Sequence, residues 1–138
     1  MVEVSFSTRD DGQVDAWIGP GRPALQEALH DSISSLPPRG ALHNGPSTYW
    51  IDHAERGAHR ALETADERPF AYGNSTVLIL RRDQVEGRYI YSEPDEAGDV
   101  MPVGDFFTLL AKWRERVEET AAKSTTLLSE TYRRNPVP

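Results

Sequence analysis

Val2, Val4 and Phe6 alternate with Glu3, Ser5 and Ser7, and after Asp10-Asp11-Gly12 the alternation resumes at Val14, Ala16 and Ile18. A period of two on either side of turn chemistry predicts an opening β-hairpin. Pro23 suits a first helical turn, and Leu25, Leu29, Ile33 and Leu36 recur at helical spacing until Pro37-Pro38, which predicts a helix over about 22 to 35. Between Pro37 and Ser47 prolines and glycines break any apolar period, as expected of an exposed connection.

Thr48 to Ile51 is expected as a short strand. Asp52 and Glu55 stand three apart, the spacing of a reciprocal helix cap, so a second helix is predicted over about 52 to 65. Its apolar stripe is thin, made by Ala54, Ala58, Ala61, Leu62 and Ala65, and implies close packing on a neighbour. Thr76 to Leu80 and Arg88 to Tyr91 are β-rich runs joined by a polar segment ending at Gly87, predicting a second hairpin. Val77 to Leu80 leave no polar face, which places that strand centrally and covered on both sides. Phe106, Leu109, Leu110, Trp113 and Val117 then mark a strong core helix over about 103 to 119. Ala121, Ala122, Leu127 and Leu128 either extend it or form a further segment.

These elements describe a single α+β domain over residues 1–132 with a flexible tail at 133–138: a mainly antiparallel sheet built from the two hairpins, carrying about three helices. With 38% hydrophobic and 27% charged residues and a mean hydropathy of -0.58, the chain is too apolar for general disorder and too interrupted by charge for a membrane span. There is no cysteine, so disulfides and thiolate metal sites are excluded. The start of the chain alternates in polarity and lacks a basic-then-apolar run, so neither a signal peptide nor an anchor is expected and the chain is placed in the cytoplasm.

Charge changes the picture more than composition does. The net charge is -7 and the isoelectric point is near 5.0, which repels a phosphate backbone and argues against a nucleic-acid partner. Between Asp83 and Asp105 stand seven acids (Asp83, Glu86, Glu93, Asp95, Glu96, Asp99, Asp105) against one base, Arg88. Tyr89 and Tyr91 share one face of their strand beside these acids. Asp83, Glu86, Tyr89, Tyr91, Glu93, Asp95, Glu96 and Asp99 are therefore the expected contact residues for a basic protein partner: carboxylates steer the encounter and tyrosines supply specificity.

Other chemistry is poorly supported by spacing. His53 and His59 lie six apart and project from opposite faces of a helix, whereas helical zinc sites place ligands three or four apart. Gly19-Pro20-Gly21-Arg22-Pro23 sits where phosphate loops sit, but its prolines remove backbone donors and neither the phosphate-loop nor the dinucleotide pattern is present. No nucleophile elbow occurs. No cofactor, metal or catalytic residue is expected.

The stretch from about residue 70 to 118 resembles small bacterial immunity proteins of contact-dependent-inhibition and polymorphic-toxin systems. The resemblance lies in Tyr72-Gly73-Asn74 leading into Val77 to Leu80, a second strand near Tyr89 to Tyr91, and Met101-Pro102-Val103 opening a helix with Asp105-Phe106-Phe107, Leu110 and Trp113-Arg114. It implies a non-enzymatic α+β domain that binds and inhibits a cognate toxin, often a nuclease, through an acidic surface. Two alternatives stand beside it. One is a small-molecule-binding domain or small enzyme with a sheet–helix pocket using His43, His53 or Tyr72. The other is a homodimeric structural or regulatory module joined through Ala121 to Tyr132.

Overall fold

The computed structural model describes residues 2–42, 45–93 and 95–134, with side chains through 123. Strands β1 (Ser5–Thr8) and β2 (Val14–Trp17) form the opening hairpin, and α1 (Pro23–Asp31) and α2 (Tyr49–Thr64) follow. Strands β3 (Ala71–Tyr72), β4 (Thr76–Arg81), β5 (Gln84–Tyr89) and β6 (Asp99–Pro102) form an antiparallel sheet in the order β3-β4-β5-β6. Helix α3 (Val103–Arg134) runs directly out of β6. The α+β class and the three helices are as expected, but the hairpins occupy two separate sheets, and β3 and β6 are additions. Both added strands are short and end beside Gly73 or at Pro102, so neither has the length of alternation that marks a strand in sequence.

Sequence spacing placed the second hairpin's turn too late. The connection is the two-residue Arg82-Asp83, with Arg82 at a positive φ of 59°, and β5 therefore begins at Gln84 and includes Gly87. That glycine is required by packing rather than by the turn. A Cβ on Gly87 would lie 2.6 Å from Leu25 Cα, so α1 rests directly on β5 at this point.

One face of the larger sheet supplies Ala71, Leu78, Leu80, Val85 and Met101 to a core shared with Leu25, Leu29, Ile51, Ala54, Ala58, Phe106, Leu109, Leu110 and Trp113. Gly57 lets α2 approach Phe70, where a Cβ would sit 3.0 Å from the Phe70 carbonyl oxygen. The small-residue stripe of α2 thus packs closely, as its composition predicts, although Leu62 remains exposed. Val77 and Ile79 are buried as well, on the opposite face, where register sets them beside Arg88 and Glu86. Trp113 is buried, and its indole N–H donates to the Val14 carbonyl at 2.9 Å, tying the opening hairpin to α3.

One helix start and two helix ends differ from the expected ones. Thr48 to Ile51 is not a strand, because α2 begins at Tyr49 and its first N–H is held by the Ser47 hydroxyl. Asp52 therefore lies one turn inside the helix and cannot act as its cap. Asp52 and Glu55 instead grip Arg114 of α3, with the Arg114 Nε donating to Asp52 at 2.8 Å and a guanidinium N–H donating to Glu55. Helix α1 stops at Asp31, short of the expected 35: Ser32 turns its hydroxyl to Thr76, and Ser35 donates no helical bond but accepts from the Val14 N–H. Helix α3 continues through Arg134, so residues 133 and 134 are helical rather than tail; residues 135–138 lie outside the described residues.

Candidate functional site

The acids between Asp83 and Asp105 divide into two groups with different surroundings. Glu86 is only 4% exposed. Its Oε2 accepts from the Gly98 N–H at 3.2 Å, and its Oε1 lies 3.7 Å from both Arg81 and Arg88 without a hydrogen-bond partner. Gly98 presses onto this pair, since a Cβ there would meet Arg88 Cβ at 2.9 Å and Glu86 Cγ at 3.0 Å. Glu86 is thus a buried ionic tie between β5 and the loop that follows, and it is withdrawn from any docking surface.

Asp99 is withdrawn for another reason. Its Oδ2 accepts from the N–H groups of Ala24 and Leu25 at 2.6 and 3.2 Å. Arg22, at the cap position of α1, makes no side-chain cap, so an acid distant in sequence satisfies the helix's open donors and its positive end. The Gly19-to-Pro23 turn consequently offers no vacant anion cradle. Asp105 accepts from the Val2 N–H at 3.0 Å and anchors the start of the chain to α3. Asp83 is exposed in the β4–β5 turn, at the other end of β5 from Tyr89 and roughly 20 Å away along an extended strand.

What remains together is smaller. The connection from β5 to β6 carries Glu93, Asp95 and Glu96, all exposed. The loop is shaped by backbone bonds from Ser92 to Tyr89 and from Glu96 to Glu93, and the Arg88 guanidinium donates to the Glu93 carbonyl at 2.9 Å. Tyr89 and Tyr91 stack with ring centroids 5.2 Å apart and planes 17° from parallel. Tyr91 is 74% exposed and the intervening Ile90 54%. Burial raises the Tyr89 hydroxyl above its ordinary pKa, and the negative charges of Tyr91, Glu27 and Asp99 push it the same way. Glu27 of α1, exposed and adjacent, was missed from sequence because it lies far from the acidic run; only the packing of α1 on β5 brings it here.

The structure thus sets the Tyr89–Tyr91 stack near Glu27 and Asp99, whose charges reach Tyr89, and leaves Glu93, Asp95 and Glu96 exposed in the following loop. Of the expected contact residues, Glu86 and Asp99 are held within the fold and Asp83 lies at the far end of β5. Among the described residues no group of three histidines, cysteines or acids is arranged to hold a metal. His59 stacks on Phe107 at 4.2 Å and lies near Glu55, while His53 meets Trp50 edge-on. His53 and Tyr72, named from sequence as pocket groups, do line one cleft of about 360 Å³ with Arg60, Asp66, Arg68 and Phe70. In that cleft Arg68 and Asp66 form an exposed pair at 2.8 Å, and Arg68 holds Asp66 down to about 2. His43 lies outside the described residues, as do the side chains of the Ala121-to-Tyr132 segment beyond Lys123.

No helix among the described residues is long and apolar enough to cross a membrane. No protein-family model, curated protein or solved structure matches the chain.

Proposed function

We propose that the chain is a non-catalytic protein-binding domain of the immunity type, inhibiting a basic partner such as a nuclease toxin. The observation that carries the reading is the stack of exposed Tyr91 on half-buried Tyr89, followed in the chain by the exposed Glu93, Asp95 and Glu96. Rigid aromatic area of this kind supplies binding energy at low entropic cost. The neighbouring carboxylates suit a groove whose cations otherwise hold phosphate. The proposed contact surface takes in Glu27 on α1, the two tyrosines and the β5–β6 loop that follows them.

The test is inhibition of a cationic nuclease encoded beside this chain's gene, measured with the full chain and with a Tyr91→Ala/Glu93→Gln/Asp95→Asn/Glu96→Gln variant. The reading expects stoichiometric inhibition that weakens with salt and falls at least about tenfold in the variant. Absence of inhibition, or inhibition untouched by the variant, would overturn it.

A second reading, a domain binding a small anion, is favoured by the cleft that holds His53, Tyr72, Arg60 and Arg68. Titration with inorganic phosphate followed by NMR distinguishes the two: shifts centred on Arg60 and Tyr72 that vanish in Arg60→Ala support it.

A further inference from the structure

The two sheets have four edges; two are closed by specific groups and a third is too short to pair. On β2 the outward backbone groups are taken by side chains: the Val14 N–H by Ser35, the Val14 carbonyl by Trp113, the Ala16 carbonyl by Gln26 and His30, and the Ile18 N–H by Gln26. On β6 the outward Val100 carbonyl accepts from Arg22, and Pro102, which has no N–H, stands two residues on. The β3 edge is two residues long. The fourth edge, on β1, is open. Arg9 and Gln13 exchange a ladder bond next to the hairpin turn, so with the pairing of Ser7 to Asp15 and Ser5 to Trp17 the groups of Val4, Phe6 and Thr8 point away from β2. Among the described residues nothing bonds to them.

Such edges are normally blunted by charge, proline or a covering element. Here the centre of the edge is Ser-Phe-Ser-Thr, and the charges stand only at its flanks, Glu3 before and Arg9 after. That arrangement is self-complementary. The geometry points to a second copy of this chain as the occupant, paired antiparallel through β1 about a two-fold axis at Phe6. In this register Phe6 faces Phe6, Val4 faces Thr8 of the second copy, Ser5 faces Ser7, and Glu3 faces Arg9.

Each outward N–H and carbonyl then gains a partner, and two marginal two-stranded ribbons become one four-stranded sheet. The half-buried Phe6 rings meet across the axis and extend the core between copies. Glu3 makes no ion pair within its own chain among the described residues, whereas Arg9 is already oriented by Asp15 at 2.6 Å. The interface is small, so association is weak and visible only at high concentration. It does not use the tyrosine surface, and its failure would leave the proposed function intact.

The chain has no cysteine, which makes the register directly measurable. Ser5→Cys and Ser7→Cys are made separately on the full chain, at exposed positions whose facing Cα atoms would be about 4.5 Å apart in a non-hydrogen-bonded pair. A mixture of the two variants is expected to form a disulfide at least about tenfold faster than either alone, because like positions are offset along the strands beyond bridging distance. Thr8→Pro removes an outward N–H without touching the hairpin's own ladder, and sedimentation should show self-association lowered about tenfold or more with an unchanged circular dichroism spectrum. A chain that stays monomeric at millimolar concentration overturns the inference. So does a dimer that survives Thr8→Pro, or one whose mixed cysteines cross-link no faster than each alone.

Discussion

Asp99 and Glu93 stand six residues apart in one acidic run, yet they meet opposite surroundings. Asp99 places its carboxylate against the first N–H groups of α1, while Glu93 leaves its side chain in water and offers only its backbone carbonyl to Arg88. The same contrast separates Glu86, buried between two arginines, from Asp95 and Glu96 on the loop. Density of charge along a sequence therefore measures two different things. Some of it closes helix ends and strand junctions, and only the remainder is available to a partner.

The largest effect that could break this contrast belongs to Glu86. Glu86→Ala leaves Arg88, itself largely buried, without its counter-ion, and should cost about 3 kcal/mol in urea unfolding. A loss no larger than that of a surface substitution would put Glu86 with the free acids.

Asp31 sharpens the comparison from outside the acidic run. It ends α1, where the helix dipole disfavours an anion, but its carboxylate accepts from the N–H groups of Asn74, Ser75 and Thr76 and from the Thr76 hydroxyl. Burial alone would raise its pKa; the bonds from Ser75, Thr76 and Asn74 together outweigh burial and hold it below the ordinary 3.8. Gly73 is fitted to this nest, since a Cβ there would collide with the Asp31 carboxylate. Because the folded-state value lies below the unfolded one, the stabilisation is fully present above the unfolded value and is lost as pH falls through the folded value. Asp31→Asn should cost about 2 kcal/mol at neutral pH, and the gap from the parent should close as pH falls through the lowered folded-state value. A gap that persists unchanged at low pH would mean that the charge is not the cause.

Smaller effects follow for the helix cap and the proposed contact surface. Asp99→Ala should cost about 1 kcal/mol, the usual loss for a capping acid, read as a lowered urea midpoint with unchanged slope. Tyr91→Ala should change stability by less than about 0.5 kcal/mol, as expected for an exposed side chain outside any buried network. A larger loss would assign the Tyr89–Tyr91 stack to the fold instead of to recognition.

Legibility in the sequence followed physical range. The Phe106-to-Val117 stripe and the alternations of the first hairpin declare themselves because their period is local and each apolar position turns to the core, fully in α3 and β2 and partly at Val2, Val4 and Phe6. The α2 start was displaced because Asp52 and Glu55 carry a cap's spacing while their true partner, Arg114, lies on α3. Strand β6 has no alternation of its own and exists because Val85 and Glu86 offer it an edge. Of the proposed contact surface, the tyrosines and the loop acids were visible from their neighbours in the chain. The loss of Asp99 to the fold and the gain of Glu27 depend on α1 lying across β5, a contact between residues some sixty positions apart, and the loss of Glu86 depends on Arg81 and on Gly98 folding back over it.

The division of the acidic run can be measured with charge held constant. Glu86→Gln/Asp99→Asn/Asp105→Asn and Glu93→Gln/Asp95→Asn/Glu96→Gln each remove three negative charges from the same stretch, and urea unfolding of the two triple variants compares them directly. The first should lose at least about 3 kcal/mol and the second should stay within about 0.5 kcal/mol of the parent. Equal losses in both would contradict the account, because the seven acids would then be one electrostatic patch and not two groups with separate roles.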